Sequence, residues 1–210
     1  MYSQLVSYVN LSPNCTAPRA AEIDRITIHH MACDLTVEEC GRGFSKPARQ
    51  ASANYGIGSD GRIACYVEEE NRSWCSSSPE NDHRAITIEV ANCGGDPDWP
   101  VSREAYAALL DLCTDICRRR GFRLRYTGDT EGNLTMHCWF APTGCPGPWL
   151  KARFPEIAAE VNRRLDAEKR VFYRVQVGAF REKANAERFL ETLKAQGYPD
   201  AFLVEAAYDQ

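Results

Sequence analysis

Hydrophobic and polar positions alternate over Arg25-Ile-Thr-Ile-His-His30, a β-branched run that predicts a strand ending in two histidines. Asn54 to Gly58 and Arg62 to Val67 show the same habit on either side of Ser59-Asp-Gly61, and predict a hairpin closed by a tight Asp-Gly turn. Ala85 to Ala91 is apolar almost throughout, as expected of a strand covered on both faces at the centre of a sheet. Helical spacing begins after Thr36, where Thr36-Val-Glu-Glu39 reads as a capping box for a helix running towards Phe44. It returns after Ser102, with Tyr106, Leu109, Leu110, Cys113 and Ile116 on one stripe and Gly121 as a stop. Arg118, Arg119 and Arg120 read there as a solvated last turn that complements the helix dipole. A further helix opens at Phe154-Pro155, with Ile157, Val161 and Leu165 on one face.

The charged stretch Asp166 to Arg170 ends this pattern and marks a domain boundary, giving a domain over 1–167 and a second unit over 171–210. In that unit Tyr173 to Phe180 alternates like a strand, Ala184 to Leu193 reads as an amphipathic helix, and Ala201 to Glu205 as a second strand. The expected architecture is α/β: a mixed, mostly parallel central sheet flanked by helices, followed by a small C-terminal β-α-β unit.

Length and composition add limits. A chain of 210 residues, 44% hydrophobic and 26% charged, can bury a sizeable core. A formal charge of −4 leaves no basic field to hold nucleic acid. No run is long and apolar enough to span a bilayer. Residues 1–18 contain no Lys or Arg, so the charged start of a secretory signal is missing; the expectation is synthesis in the cytoplasm and release by another route. Ten cysteines in a chain of this size without an export signal point to thiols, not to a disulfide framework. Cys113 and Cys117 read as small buried hydrophobes.

Three residues stand out chemically: His29 at a strand end, His137 in Thr135-Met-His137, and Cys145 in Thr143-Gly-Cys-Pro-Gly147. Two imidazoles and a thiolate match a catalytic zinc site, which takes three protein ligands and keeps its fourth position for water. Singly, each has a plainer reading, since a lone His is more often a hydrogen-bonded structural residue and a lone Cys is usually core.

The combination Ile28-His29-His30, Asn54-Tyr55-Gly56, Ile86-Thr-Ile-Glu89, His137 and Thr143-Gly-Cys-Pro-Gly147 resembles the type 2 N-acetylmuramoyl-L-alanine amidases, a family that includes phage endolysins and is similar in fold to the peptidoglycan recognition proteins. Ser12 to Thr16 and Arg72 to Ser78 resemble members from clostridial phages and prophages. The resemblance implies a zinc ion on His29, His137 and Cys145, with His30 beside it. It implies Glu89 as general base, Tyr55 as a donor to the oxyanion, and Thr143 where some members carry a lysine. Taken alone, Glu89 would be a strand-end carboxylate and Tyr55 an aromatic packed on the sheet. The implied substrate is bacterial peptidoglycan, reached after lysis, and the implied reaction is hydrolysis of the bond between N-acetylmuramic acid and L-alanine. Trp74, Trp139 and Trp149 are candidates for sugar stacking or for rim packing.

Tyr173 to Phe180, Asn185-Ala186 and Leu193 to Gly197 resemble one half of the sporulation-related repeat that binds glycan chains. One half leaves Phe189, Leu190 and Leu193 uncovered, so pairing of two chains through 171–210 is the expectation, with packing on the chain's own first domain as the alternative. Two other functions are open at this stage. One is a non-catalytic binding module of the recognition-protein type. The other is a cysteine hydrolase using Cys145 or Cys138 with His137.

Overall fold

The computed structural model describes residues 1–168 and 175–205. The chain divides into two compact units, residues 1–170 and 171–210. In chain order the first unit contains β1 (Tyr8–Val9), β2 (Cys15–Thr16), β3 (Arg25–His30), α1 (Val37–Phe44), β4 (Tyr55–Ile57), β5 (Ile63–Cys65), β6 (Arg72–Ser73), α2 (Pro79–Arg84), β7 (Ala85–Val90), α3 (Arg103–Arg120), β8 (Leu134–Met136), α4 (Pro148–Lys151) and α5 (Phe154–Glu168). Single 3-10 turns cover Pro47–Arg49 and His137–Trp139.

Six strands form one sheet in the order β1-β5-β4-β7-β3-β8. Every pairing in it is parallel except the β4-β5 hairpin. β7 lies inside the sheet, as its apolar composition requires, and its partners on either side are β3 and β4. The caps expected from sequence are made: Thr36 and Glu39 form a reciprocal capping box, Ser102 caps α3, and Gly121 ends α3 with a left-handed φ of 73°.

Side chains alternate across the pleat, and the two faces differ. Ile26, Ile28, Ile86, Ile88, Tyr55 and Cys65 pack against α3 and α5 in the larger core. On the other face Ala64 and Tyr66 pack with Val37, Cys40 and Phe44 of α1. The rest of that face is a buried polar layer. Thr27 and Thr135 share a hydrogen bond of 2.9 Å, Asn81 donates to Thr27 at 2.9 Å, and Ser73 and Thr87 are joined at 2.7 Å. Gly56 belongs to this face, and a Cβ there would come within 2.4 Å of the Tyr66 ring.

The arginines closing α3 are not simply solvated. Glu69 is fully buried, and both Arg119 (2.7 Å) and Arg120 donate to its carboxylate. Burial alone would raise that carboxyl, but hydrogen bonds from Arg119, Tyr55 and Arg120 outweigh it and hold it below the usual range. A guanidinium fork satisfies both oxygens of a carboxylate, which is why these arginines turn inward.

In the second unit the expected helix is α6 (Lys183–Ala195), and Phe180 rests on Phe189 with ring centroids 5.4 Å apart. Among the described residues the expected flanking strands are not formed. Residues 175–180 and 201–205 carry no strand ladder among the described residues, while Tyr173 and Arg174 lie outside them. Two short strands by themselves make at best a marginal ladder, so alternation alone does not secure one. Val175, Val177, Phe202 and Val204 are exposed as a result. Among the described residues no helix is long and apolar enough to cross a membrane.

Candidate metal centre and its cleft

His29 and Glu89 face each other across β3 and β7 as register partners, so both side chains leave the sheet on the polar face. β8 pairs with β3 and ends at Met136, which delivers His137 to the same strand ends. Cys145 arrives from the following loop, where the His30 backbone N–H donates to its sulfur at 3.4 Å. One donor atom each from His29, His137 and Cys145 lies within 4.8 Å of the others. The three residues picked out by sequence are therefore brought together.

These residues line a cleft of about 770 Å³ together with His30, Glu89 and Thr143. Its outer wall carries Lys46, Arg49, Arg72 and Trp74. Gly147, with φ of 84°, lets the loop pass close to His30, whose ring would lie 3.2 Å from a Cβ placed there. Trp99 packs edge-on against His30 with ring centroids 5.4 Å apart.

The electrostatics suit a cation. Burial holds His29 well below the usual imidazole range, with His137 and His30 adding to the effect, and burial also lowers His137. Both rings are thus neutral, the form that ligates metal. Their Nε2 atoms are buried without a hydrogen-bond partner among protein groups. Burial, with Glu89 nearby, raises the Cys145 thiol, so only a cation at this point would favour the thiolate. Burial pushes the Glu89 carboxyl up to about 8, against a 3.8 Å hydrogen bond from the Cys75 thiol and the charge of Arg49. Two imidazoles, a thiol and an adjacent carboxylate fit a borderline metal ion such as zinc.

Thr143 lines the cleft, and its hydroxyl oxygen accepts from the Cys145 N–H at 3.2 Å. Tyr55 does not reach the cleft. It pairs with Ile88, not with Glu89, so the pleat sends it to the opposite, apolar face. There it is fully buried, its hydroxyl donates to Glu69, and it accepts from the Ser3 N–H at 2.9 Å. Asn54 is likewise structural: its amide donates to Val67 at 3.2 Å and accepts from the Thr87 N–H at 3.1 Å.

Cys138 packs against the larger core and is not part of the cleft lining. Trp74 lines the cleft and donates to Thr16 at 3.0 Å. Trp139 stacks on Tyr126, and Trp149 is covered by the Arg153 guanidinium at 3.6 Å from the ring centre. Sequence reading missed Cys75, whose neighbour Asp82 accepts from the Cys75 and Ser76 backbone N–H groups. The short α2 that carries Asp82 shows no long periodic pattern that could have announced it.

Fold and cleft define the class: an α/β protein whose parallel strand ends gather two histidines, a cysteine and a glutamate. The family follows from comparison. Residues 19–148, more than half of the chain, match the model described as N-acetylmuramoyl-L-alanine amidase, and the chain belongs to that family of peptidoglycan amidases. Residues 169–209 match the SPOR domain. The fold is shared with the hydrolase AmiA of Staphylococcus aureus, solved in complex with its ligand (TM-score 0.61, 15% identity, covering 77% of this chain and 84% of that one). It is shared too with a point mutant of PlyL (TM-score 0.59, 14% identity, 74% and 97%) and a mutant endolysin from Bacillus subtilis (TM-score 0.57, 17% identity, 73% and 97%). No curated protein sequence matches the chain.

Proposed function

We propose that the first unit hydrolyses the amide bond between N-acetylmuramic acid and L-alanine in bacterial peptidoglycan, as an endolysin-type enzyme with zinc held by His29, His137 and Cys145. The observation that carries this reading is the meeting of those three donors beside Glu89 on one cleft floor. Zinc bound there would polarise the lactyl carbonyl, acidify a water and favour the ionised forms of Cys145 and Glu89.

Glu89, as carboxylate, accepts a proton from the attacking water and returns it to the amide nitrogen as the bond breaks. Its position on β7, fixed by the ladder to β3, keeps it beside His29 throughout. Thr143 uses its hydroxyl oxygen to accept from Cys145, which leaves its own proton free to donate to the carbonyl oxygen as charge develops there. Burial of both imidazoles keeps them neutral and able to ligate. Arg49 and Lys46 on the outer wall favour the acidic stem peptide over an uncharged one.

The second unit is proposed to hold the enzyme on wall glycan and to pair with its copy from another chain, making a dimer. Mass spectrometry of digested cell wall tests the reaction. New peptides with a free amino-terminal alanine are expected, activity should vanish with a chelator, and added zinc should restore it. New reducing sugar ends, or full activity after chelation, would overturn the reading.

A further inference from the structure

A second set of donors meets the first at His29. A ring nitrogen of His29, the Cys75 sulfur and one oxygen of Glu89 also lie within 4.8 Å of one another. The backbone holds this set as firmly as the first. His29 and Glu89 are fixed side by side by the β3-β7 ladder. Cys75 follows β6 in a segment pinned by Asp82, which accepts from the Cys75 N–H at 3.0 Å and from the Ser76 hydroxyl at 2.6 Å. The Cys75 thiol donates to Glu89 Oε1 at 3.8 Å, while Glu89 Oε2 is buried and without any hydrogen-bond partner. Buried carboxylate oxygens are nearly always satisfied, so an unpaired one beside an imidazole and a thiol points to a ligand. Imidazole nitrogen, thiolate sulfur and carboxylate oxygen are donors that zinc accepts together.

From this juxtaposition we propose that His29, Cys75 and Glu89 form a second zinc position beside the first, and that filling it switches the enzyme off. The proposal rests on the reading of His29, His137 and Cys145 as the first position. His29 can serve both cations only as an imidazolate, one ring nitrogen to each. That deprotonation, together with repulsion between the cations, makes the second ion the weaker one, so it binds only as zinc rises above one equivalent. Its binding displaces the Cys75 thiol proton, the remaining ring proton of His29 and any proton on Glu89 to solvent. A Glu89 oxygen engaged with a cation can no longer accept a proton from water, which removes the general base.

Native mass spectrometry of the reduced, metal-stripped full chain, titrated with zinc chloride, decides the matter. Wild type should take up two equivalents, and its activity should fall as the second one adds. Cys75→Ser and Glu89→Gln should each stop at one. If Cys75→Ser fails to fold by circular dichroism, Glu89→Gln carries the test alone. Saturation of wild type at one equivalent overturns the proposal and leaves the first position standing. A second equivalent that persists in a folded variant places that zinc on other cysteines, and also overturns it. A wild type that takes up no zinc defeats the first reading as well.

Discussion

Glu89 lies directly across the ladder from His29, while Tyr55 of β4 pairs with Ile88, one residue earlier on the same β7 strand. One residue of register separates a carboxylate in the cleft from a tyrosine in the apolar core. This parity governs which substitutions should act on catalysis and which on stability.

Glu89→Gln keeps the shape of the side chain and removes its basicity. It should retain the first zinc equivalent and lose about 10²- to 10⁴-fold in kcat, the usual worth of a positioned general base. Kinetics on purified peptidoglycan, with metal content measured on the same sample, check this; a variant within a few-fold of wild type takes Glu89 out of the mechanism.

The same residue makes metal-stripped protein sensitive to pH. Burial raises the folded carboxyl to about 8 from 4.5, so between those values the folded chain keeps a proton that the unfolded chain has released. Stability of the metal-free wild type should therefore fall as pH rises through that window and level off above it. Glu89→Gln lacks this titration, and its advantage over wild type should grow up to about pH 8. Denaturant unfolding across the range, with chelator present, measures the difference; parallel curves would show that Glu89 is ionised in the metal-free fold.

Tyr55→Phe should leave kcat unchanged and lower stability by about 1.5–3 kcal/mol, because it removes a hydrogen bond to the buried Glu69 carboxylate. Unfolding and steady-state kinetics on one preparation separate the two effects. A large loss of kcat with intact stability would return Tyr55 to the reaction.

Cys145→Ser and Cys138→Ser should differ sharply. A hydroxyl is a poorer zinc ligand than a thiolate, so the first should lose metal and activity together. The second alters a side chain packed on the core side and should keep both. Elemental analysis after dialysis reads this out, and equal zinc loss in the two variants would count against the assigned ligand set.

The full chain should be a dimer at micromolar concentration, since Val175, Val177, Phe202 and Val204 are exposed around α6. Light scattering tests it, and Phe202→Asp should give a monomer. A monomeric wild type ends the proposal.

Much of this protein was legible in its sequence because the relevant physics is local. The capping box at Thr36, the stop at Gly121, the turn at Gly61 and the apolar run of β7 are decided by residues within a few positions of one another. His29, His137 and Cys145 were singled out for a different reason: two imidazoles and a thiolate suit a zinc site and their motifs resemble the amidase family, and the fold brings the three donors together. The tertiary structure alone decided the rest. Tyr55 is an aromatic in an alternating strand whichever face it takes, and only the register with β7 sends it to the core. Arg119 and Arg120 look like any basic helix end until the fold buries Glu69 beside them. Cys75 has no periodic context, and it reaches Glu89 only because Asp82 pins its segment there. The strands expected around α6 form no ladder among the described residues for the complementary reason: two short strands need further strands or packing to hold a ladder, and alternation within a segment does not supply them.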